Sequence, residues 1–519
     1  MAPPAPTTDG KIPKTTEKPF KRSRKVVVDV SLCRYAIIKR CLKDRGFRLV
    51  RTKKSDVEWD IWWSDRGELL KDARRLNAFQ KVNHFPSMED ICRKDFLANN
   101  LNAMRKLLPD DYDFFPRSFL IPAERMELQQ CMEADKRGAT YIVKPRTLCQ
   151  GKGISLIQSF QKLSTKDPCV VQKYIHNPLL IDGFKFDLRI YVLVYSVDPL
   201  HVYIFRNGLA RFCTTPFEAP KRSNLHQTRM HLTNYAINKK SKDFVRSADE
   251  TTGSKRSLAF VMQHLQDDHG MDPNAVWADI CDVVLKTLLA IQPRLAASYR
   301  NFFGADEIKG RQWGPAAFEI LGFDVMLDER GKAWMVEVNH APSFAGDSTL
   351  DKQIKTPLIA QALDILAVTN LSKRQYQSKH RKVWKTRLWN ATSAVAVAKK
   401  AKGDIRTPTS GLVEPPPPVV EPQVVELTEE DAVDPVDDNG SGLSEDENEN
   451  DSPAKAKSSS NKIHPDDSAQ DNNHEKEMDS FGNTYERIYP PPASMSPALS
   501  AKYARILAAA ETNRSKLWG

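Results

Sequence analysis

The stretch AFEILGFDVMLDERGKAWMVEVNHAPSF, residues 317–344, decides the fold. Two apolar runs flank a short polar turn, Asp328–Gly331, with its glycine late, and this pattern predicts a β-hairpin. Alternation along the two strands assigns six apolar side chains to one face of the hairpin. They are Phe323, Val325, Leu327, Trp334, Val336 and Val338.

The other face of the predicted hairpin carries oxygen ligands. Asp324 lies on the first strand, Glu337 and Asn339 lie on the second, and folding about the turn places Asp324 nearly opposite Glu337. Facing carboxylates repel, and unpaired charge among apolar residues is costly. Two carboxylates and an amide carbonyl suit Mg²⁺, which takes its other ligands from water and phosphate. The alternative is one carboxylate paired with Lys or Arg and one facing solvent; three oxygen ligands on one face favour the metal.

Composition narrows the class of protein and its compartment. The chain has 519 residues, enough for two or three domains, and a formal net charge of +11, which suggests an acidic partner such as nucleic acid, an anionic membrane or an acidic protein surface. Its 8 cysteines form no CxxC pair, as is typical of a reduced cytosolic protein. No apolar run reaches the length of a membrane span, and the N-terminus lacks the apolar core of a signal peptide.

Apolar periodicity predicts the larger elements. Helices are expected over 35–45, 88–108, 274–297 and 355–366, with 80–86 a loop and 110–122 a connector. Strands are expected at 25–30, 47–50, 59–63, 141–145, 154–157 and 169–175, followed by a hairpin of 186–196 with 200–207.

Two changes of composition follow the globular part. Residues 371–406 hold eleven Lys/Arg against one acid, a net of +10, in a helix-compatible stretch. Residues 407–453 hold fourteen Asp/Glu and no Lys/Arg, which predicts disorder, and low complexity continues to about 478. The predicted organisation is a disordered basic arm (1–25), an N-terminal α/β domain (26–79), a central domain (80–172), a domain with the hairpin (173–370), a basic extension (371–406), an acidic disordered tail (407–478) and a C-terminal motif and helix (479–519) that docks on a partner or on the body.

Phosphate-binding candidates lie in the central domain. Lys144 is near the end of a strand, and the turn Gln150-Gly151-Lys152-Gly153 follows. Glycines let a backbone approach phosphate, and lysines neutralise it. The spacing is not that of a P-loop, and a GKG turn alone is more often an ordinary hairpin turn. Lys144 upstream and the hairpin downstream favour phosphate.

Three further stretches each have a functional and a plain interpretation. The segment Gln172-Lys173-Tyr174-Ile175 offers backbone groups to an adenine edge, although a plain strand end is favoured on that stretch alone. Lys185, Asp187 and Arg189 share a strand face, and with Arg211 they suit carboxylate and phosphate binding unless the face is solvated and internally paired. Thr233 and Asn234, in a polar loop, orient a phosphate or an acceptor carboxylate, or cap a turn.

His340 is one residue beyond Asn339. A lone histidine is usually structural. One at a strand end beside a charged site is a candidate for reading the acceptor.

The motifs described above, taken in their order along the chain, resemble those of the tubulin tyrosine ligase-like family of ATP-grasp ligases. The resemblance covers about residues 26–370. GFKFDLR (183–189) with EVNHAPSF (337–344) is most similar to the polyglutamylase branch, and 371–406 resembles its microtubule-binding extension. The resemblance implies an α/β (α+β) ATP-grasp fold that holds ATP between two mixed or antiparallel sheet domains. It also implies an ATP- and Mg²⁺-dependent ligase that joins glutamate to acidic tubulin C-terminal tails through an acyl phosphate.

The resemblance further implies a role for each matched position. The phosphate loop departs from the family pattern, because it reads KPRTLCQG (144–151) where a smaller, more polar middle is expected. The matched positions are Asp324, Glu337 and Asn339 for Mg²⁺; Lys144, Gln150, Gly151, Lys152 and Gly153 for the ATP phosphates; Gln172, Lys173, Tyr174 and Ile175 for adenine; Lys185 and Asp187 for ribose; Arg189, Arg211, Thr233, Asn234 and His340 for the γ-phosphate, the amino acid and the acceptor; and Arg189, Arg211 and Glu337 as catalytic residues.

The expected partners are tubulin or microtubules and free L-glutamate, with neither nucleic acid nor membrane, for a monomer in the cytoplasm and on the cytoskeleton. The cilium or flagellum axoneme and the basal body are candidate locations. The alternatives are a ligase of the same family that uses glycine or tyrosine, a non-catalytic microtubule-binding protein, and, third, a nucleic-acid-binding protein.

Overall fold

Three sheets organise the part of the chain that the computed structural model describes. The basic arm and the acidic tail predicted at 1–25 and 407–478 lie outside the described residues, except for Lys25, as does most of the basic extension. The described residues are 25–51, 59–66, 76–135, 139–146, 148, 150–164, 167–246, 249–304, 314–369, 371, 373–378, 381–382, 386, 485–492 and 495–518.

The first sheet is parallel, with the strand order β2-β1-β3-β4. Helix α1 joins β1 to β2 and buries Ile38, Cys41 and Leu42, as the sequence predicts, before the chain turns at Gly46 with a φ of 73°. Lys81–Val82 was predicted to be a loop but pairs with β3 as a short strand. The elements are β1 Val27–Leu32, α1 Ala36–Asp44, β2 Arg48–Val50, β3 Ile61–Ser64 and β4 Lys81–Val82.

The second sheet is antiparallel, with the order β5-β8-β6-β7. The helix predicted over 88–108 is interrupted at Arg93, whose backbone is extended, with φ −82° and ψ 132°. Its guanidinium pairs with Asp95 at 2.8 Å and stacks on Phe96. Strand β5 and helix α4 were not predicted. The elements are α2 Glu89–Cys92, α3 Lys94–Leu107, β5 Ser118–Ile121, α4 Arg125–Ala134, β6 Tyr141–Pro145, β7 Ser155–Ile157 and β8 Cys169–Lys173.

The third sheet is the largest and has the order β12-β11-β10-β13-β14, with β9 paired to β10 and β15 paired to β11. The predicted hairpin of β10 and β11 is confirmed, and both of its strands are longer than expected. Strand β15 comes from the far C-terminus of the chain. The strands are β9 Leu180–Ile181, β10 Phe184–Val197, β11 Leu200–Phe212, β12 Lys255–Ser257, β13 Glu319–Leu327, β14 Ala333–Asn339 and β15 Tyr485–Tyr489.

Helices cover both faces of the large sheet. The single helix predicted over 274–297 is two helices, because Pro293 near the start of α9 cannot continue the hydrogen bonding of α8. Helix α10 begins at Thr349, before the predicted 355, where the Ser348 side chain accepts a hydrogen bond from the Asp351 backbone N–H. The helices are α5 Thr228–His231, α6 Tyr235–Asn238, α7 Leu258–His269, α8 Pro273–Leu289, α9 Gln292–Phe303, α10 Thr349–Leu366 and α11 Pro497–Trp518.

The hairpin of β13 and β14 forms with the predicted turn and with Asp324 opposite Glu337, but its register contains a bulge. Asp324 pairs with Glu337 while Val325 pairs with Met335, so Val336 has no partner. A bulge reverses the alternation of the residues that follow it in the ladder. The prediction that Trp334 and Val336 face the apolar core is therefore wrong: both are half-buried, and Met335 and Ala333 take the core positions.

A buried polar cluster joins the first sheet to the large sheet. Asn83 exchanges two hydrogen bonds of 2.8 Å with the Ser64 backbone. His84 Nδ1 lies 2.9 Å from Glu319 Oε1, and His84 Nε2 lies 2.9 Å from the Ser64 carbonyl oxygen. The Phe85 N–H donates to the second Glu319 oxygen. Since both ring nitrogens of His84 face acceptors, the cluster suits an imidazolium.

The His84–Glu319 pair predicts a pH-dependent stability. Burial lowers the pKa of His84, but the Glu319 carboxylate outweighs it and leaves the pKa raised. The contribution of a raised pKa is fully present below the unfolded value of about 6.5 and is lost as pH rises through the folded value. We expect Glu319→Gln to destabilise the protein by about 3 kcal/mol at pH 6. Its Tm deficit should shrink from pH 6 to pH 9 in thermal melts.

Asp268→Asn is the control, because it changes a carboxylate that pairs with a histidine on an exposed helix surface. It should leave the Tm–pH curve in place. A Glu319→Gln curve that runs parallel to the wild-type curve would contradict a charged His84.

Candidate active site

A network of ion pairs spans β10, β11 and β13 on one face of the large sheet. Pairing of the strands sets Asp324 opposite Arg189 and Asp187 opposite Arg211. Arg189 Nε donates to Asp324 at 2.5 Å, and Arg211 Nη2 lies 2.7 Å from the same carboxylate. Arg211 also forms a bidentate contact with Asp187 at 2.7 and 2.6 Å. The arginines predicted to bind anions are thus held by aspartates in this structure.

Asp324 and Glu337 share the centre of the site, and their pKa values are shifted in opposite directions. Burial opposes the ionisation of Asp324, but the Arg189 and Arg211 guanidiniums hold its pKa well below the usual range. Burial, followed by the neighbouring Asp324 charge, raises the pKa of Glu337. Glu337 is therefore the carboxylate for which the network supplies too little positive charge.

These residues fit a divalent cation. A cation beside Glu337 would replace the proton that its raised pKa favours, and Asp324, Glu337 and the Asn339 amide form a set of hard oxygen donors. The Asn339 side-chain nitrogen lies 3.5 Å from Asp324, so the amide is beside the two carboxylates. Among the residues that the structure describes, no cluster of three or more His, Cys, Asp or Glu side chains could hold a metal, and this site has only two carboxylates.

A cavity of about 70 Å³ lies between the second sheet, β5-β8-β6-β7, and the large sheet. Ligand pockets are commonly about 300–1,000 Å³, so the cavity is small and tightly closed by its own side chains. The cavity gathers most of the predicted site residues: Lys144, Gln172, Lys173, Tyr174, Ile175, Lys185, Asp187, Thr233, Asn234, Asp324 and Glu337.

Two buried lysines give the cavity its positive charge. Lys144 Nζ donates to Gln172 Oε1 at 2.8 Å, and Lys185 Nζ donates to the Tyr174 hydroxyl at 2.8 Å. Burial lowers the pKa of each lysine to about 8, so both remain mostly protonated at pH 7. Their ammonium groups are bonded to neutral oxygens here, which makes them suited to receive an anion.

The glycine turn lies on a neighbouring groove and not on the closed cavity. Gln150, Gly151 and Lys152 line this groove, which has a volume of about 690 Å³. Gly151 has a φ of +80°, and a Cβ there would lie 2.5 Å from Ile237 Cδ1 and 2.9 Å from Asn234 Oδ1. The turn therefore closes against the segment that carries Asn234, and only glycine permits this approach.

The remaining predicted residues lie around the cavity. Gly153 has a φ of +67° and packs by Pro145 and Leu148, so it shapes the turn. Thr233 donates to Asp187 at 2.6 Å, which joins the polar loop to the ion pairs. His340 is exposed, and its ring centroid lies 6.4 Å from that of His84. The structure thus places His340 beside the polar cluster that joins the sheets and outside the closed cavity.

Several residues of the cavity were not predicted. His231 is two residues before the predicted Thr233, and its Nδ1 lies 3.1 Å from the Tyr174 hydroxyl while its backbone carbonyl accepts a hydrogen bond from Lys185. Burial, with Lys185 second, lowers the pKa of His231 to about 4, so the ring is neutral and fixes Tyr174. The other unpredicted lining residues are Pro116, Ile142, Ile154, Leu232, Met326, Met335 and Val336.

The structure defines a mixed α/β protein with several sheets and a closed, charged site between two of them. The chain belongs to the tubulin-tyrosine ligase family, whose model matches residues 72–375. It is 39% identical over 398 residues to the human protein named tubulin polyglutamylase TTLL13, an alignment covering 77% of this chain and 48% of that protein. It is 40% identical to mouse tubulin polyglutamylase TTLL6, in an alignment covering 70% of this chain and 43% of that protein. It is 37% identical to human tubulin polyglutamylase TTLL7, in an alignment covering 72% of this chain and 42% of that protein.

The alignments cover only part of each relative. The chain spans less than half of the length of each of these three proteins. Within the described part of the chain, no helix combines the length and the apolar character needed to cross a membrane.

Crowding at Gly151 predicts a sharp effect of a single methyl group. We expect Gly151→Ala to weaken Mg-ATP binding by about tenfold or more, because a Cβ would push the glycine turn away from Asn234 and Ile237. Isothermal titration with Mg-ATP measures the change. Gly46→Ala is the matched control, since Gly46 also has a positive φ, of +73°, but has nothing within 4 Å of its Cβ position.

Both variants carry the same backbone strain of about 1–2 kcal/mol. They should therefore lower Tm to a similar extent, and only Gly151→Ala should lose nucleotide affinity. Equal affinities would show that the turn does not approach the nucleotide.

Proposed function

We propose that the chain is an ATP- and Mg²⁺-dependent ligase that adds glutamate to the acidic C-terminal tails of tubulin. The observation that carries this proposal is that the region matched to the tubulin-tyrosine ligase family, 72–375, contains every residue lining the closed cavity. The similar proteins are named tubulin polyglutamylases, which supports glutamate as the amino acid and tubulin as the acceptor.

The proposed fold is ATP-grasp, with ATP held between a central domain, 80–172, and the domain of the large sheet, 173–370. The lining of the cavity supports it: Lys144 and Gln172 come from the antiparallel sheet, while Lys185 and Asp324 come from the large sheet. The proposed N-terminal domain, 26–79, is a third unit, although the last strand of its sheet extends to Val82.

The basic extension begins on the surface of the first domain. Lys373 pairs with Asp60 at 2.9 Å, and the Tyr376 ring packs on Phe79 with centroids 5.2 Å apart. The start of the extension is thus anchored to the body. We propose that the rest of 371–406, with its net charge of +10, holds microtubules.

Mg²⁺ would be held by Asp324, Glu337 and Asn339 and would offset the charge of the phosphates. ATP would supply the phosphoryl group that activates the acceptor carboxylate as an acyl phosphate. Lys144 and Lys185 neutralise the nucleotide, and the segment 172–175 presents its backbone to adenine. Arg189 and Arg211 are paired with Asp324 here. A cation that offset the charge of Asp324 would release Arg189 to hold a carboxylate of glutamate, while Arg211 would keep its bidentate contact with Asp187 and face the transferring group.

The acidic acceptor would lie in the 690 Å³ groove beside the glycine turn. Cationic side chains line this groove, and Thr228 and Gln227 add hydrogen-bonding groups. The cationic members are Lys152, Arg229, Lys239 and Lys240. A chain of carboxylates is the ligand that such a surface attracts. An acceptor bound there would lie next to Gly151 and so beside a nucleotide held at the glycine turn.

The proposed setting follows from these partners. A monomer that binds tubulin and free glutamate, and neither nucleic acid nor membrane, would act in the cytoplasm and on the cytoskeleton, including the axoneme or basal body of a cilium. A ligase that uses glycine or tyrosine is the second candidate, because Arg189 and Arg211 recognise a carboxylate that every amino acid carries. A binding-only protein is the third.

Substitution of Glu337 tests the ligase. We expect Glu337→Gln to lower incorporation of labelled glutamate into microtubules by about 100-fold or more, because it removes a charge that the site needs in the transfer. Microtubule co-sedimentation should be unchanged. Glu329→Gln is the control, since it makes the same change at an exposed position of the same hairpin, where the Glu329 carboxylate accepts a hydrogen bond from the Asn177 side chain and its backbone N–H donates to the Asn177 carbonyl.

Parallel reactions with labelled glycine and tyrosine identify the amino acid. Incorporation of either in place of glutamate would move the assignment to that ligase. If none of the three amino acids is incorporated by the wild type, the binding-only interpretation replaces the ligase.

The charge of the basic extension predicts salt-sensitive microtubule binding. We expect the Kd to rise about tenfold between 50 and 200 mM salt, because exposed charges are screened over this range. Replacing Lys399, Lys400 and Lys402 with serine should make the dependence shallower in co-sedimentation assays. A salt-independent Kd would assign the contact to apolar surface instead.

A further inference from the structure

The last part of the chain that the structure describes, residues 485–492 and 495–518, completes the large sheet. Strand β15 pairs antiparallel with the first half of β11, with Phe205 opposite Tyr485 and Val202 opposite Tyr489. The β11 residues that it covers, 202–205, are fully buried. An uncovered strand of such apolar residues would be an exposed sheet edge, which natural proteins avoid.

Helix α11 then packs across α3, α8 and α9. Tyr503, Ile506 and Ala510 recur at helical spacing and are 4%, 0% and 2% exposed. They join the same apolar core as Phe323 and Val325 of the hairpin. The segment 485–518 therefore contributes to the interior of the protein and not to its surface alone.

Polar contacts fix the position of this segment. Lys502 Nζ and the Tyr503 hydroxyl both lie 3.0 Å from Asp282 Oδ1 on α8. The Trp277 indole N–H donates to Glu486 at 3.0 Å. The Asp282 carboxylate is largely buried and is also contacted at 2.7 Å by Lys286 of α8, so Lys502 and Tyr503 add to a set of partners that α8 already supplies.

The segment covers one half of a strand whose other half carries a site residue. Between Ile204 and Gly208, β11 has three residues against one on β10, and this irregularity divides the strand. Strand β12 covers the half with Arg211, while β15 covers the other half. Without β15, the first half of β11 would pair with β10 alone and would form an open edge of the sheet.

We propose that residues 485–518 form a C-terminal clamp that stays docked in cis and keeps β11, and through it Arg211, in position. The clamp lies outside the family match of 72–375. It is separated in sequence from residue 386 by the 98 residues 387–484. The docking stands without the ligase assignment, whereas the effect on Arg211 rests on the proposed function.

Cleavage of the chain between residues 386 and 485 tests the docking. A specific protease site inserted at Gly440 in the full chain lets the protein fold first and be cut afterwards. We expect the C-terminal fragment to co-elute with the body in size-exclusion chromatography, with Tm unchanged. Separate elution of the two pieces would overturn the clamp.

Substitutions on α11 test what the docking does. Ile506→Asp places a charge at a buried position and should release the fragment after cleavage, lower Tm and reduce glutamate incorporation at least tenfold. Ala508→Asp introduces the same residue at an exposed position of the same helix and should change none of these. Retention of the cut Ile506→Asp fragment would contradict the packing described here.

A conservative substitution separates positioning from general loss of folding. Lys502→Asp should lower kcat and fragment retention with little change in microtubule binding, because it sets a second carboxylate beside Asp282, whereas Lys502→Arg keeps the positive charge and should retain both. Unchanged kcat and fragment retention in Lys502→Asp would assign the contact no role. If no form of the protein incorporates glutamate, the proposed ligase fails, and co-elution still decides the clamp.

Discussion

Asp324 must keep its charge inside a strand that is buried along its whole length, and the large sheet is arranged to allow it. Arg189 and Arg211 supply that compensation from two neighbouring strands, and Asp187 holds Arg211 in turn. The contacts need two strand pairings to be in register together. Since a slip of one residue would turn these side chains to the apolar face, the ion pairs and the sheet specify each other.

Strand β13 extends this dependence to the rest of the molecule. Asp324 serves the site, while Glu319 at the start of the same strand binds His84 and the Phe85 backbone. The apolar residues between them face the two main cores on opposite sides of the sheet. A shift of β13 would therefore disturb the charged site and the junction with the first sheet together.

What the sequence predicted well was local and periodic. Alternation placed Asp324 opposite Glu337, and the order of motifs assembled Lys144, Gln172 and Lys185 around one cavity. The bulge at Val336 was beyond reach, because no glycine or other local signal marks it. Pro293, by contrast, was a readable signal for the end of α8 that the apolar stripe obscured.

Pairings between distant segments were the least predictable. Strand β15 has no partner within 270 residues of sequence, and nothing in its five residues identifies β11 as its neighbour. The position of Lys152 on the groove, and not on the cavity, likewise depends on how the glycine turn closes against Asn234. Periodicity describes which face of an element is apolar, but not which other element covers it.

The ion pairs also explain how a site with several buried charges is stable as it stands. Each guanidinium is already paired with an aspartate, so neither charge is left alone in a buried site. In the proposed ligase, a cation at Asp324 would compete with Arg189, and an anion at Arg189 would compete with Asp324. Each ligand alone would leave one member of the internal pair uncompensated, so binding of one would favour binding of the other, and by linkage the coupling would be reciprocal. Such a site would disfavour either ligand charge alone and would accept the two together.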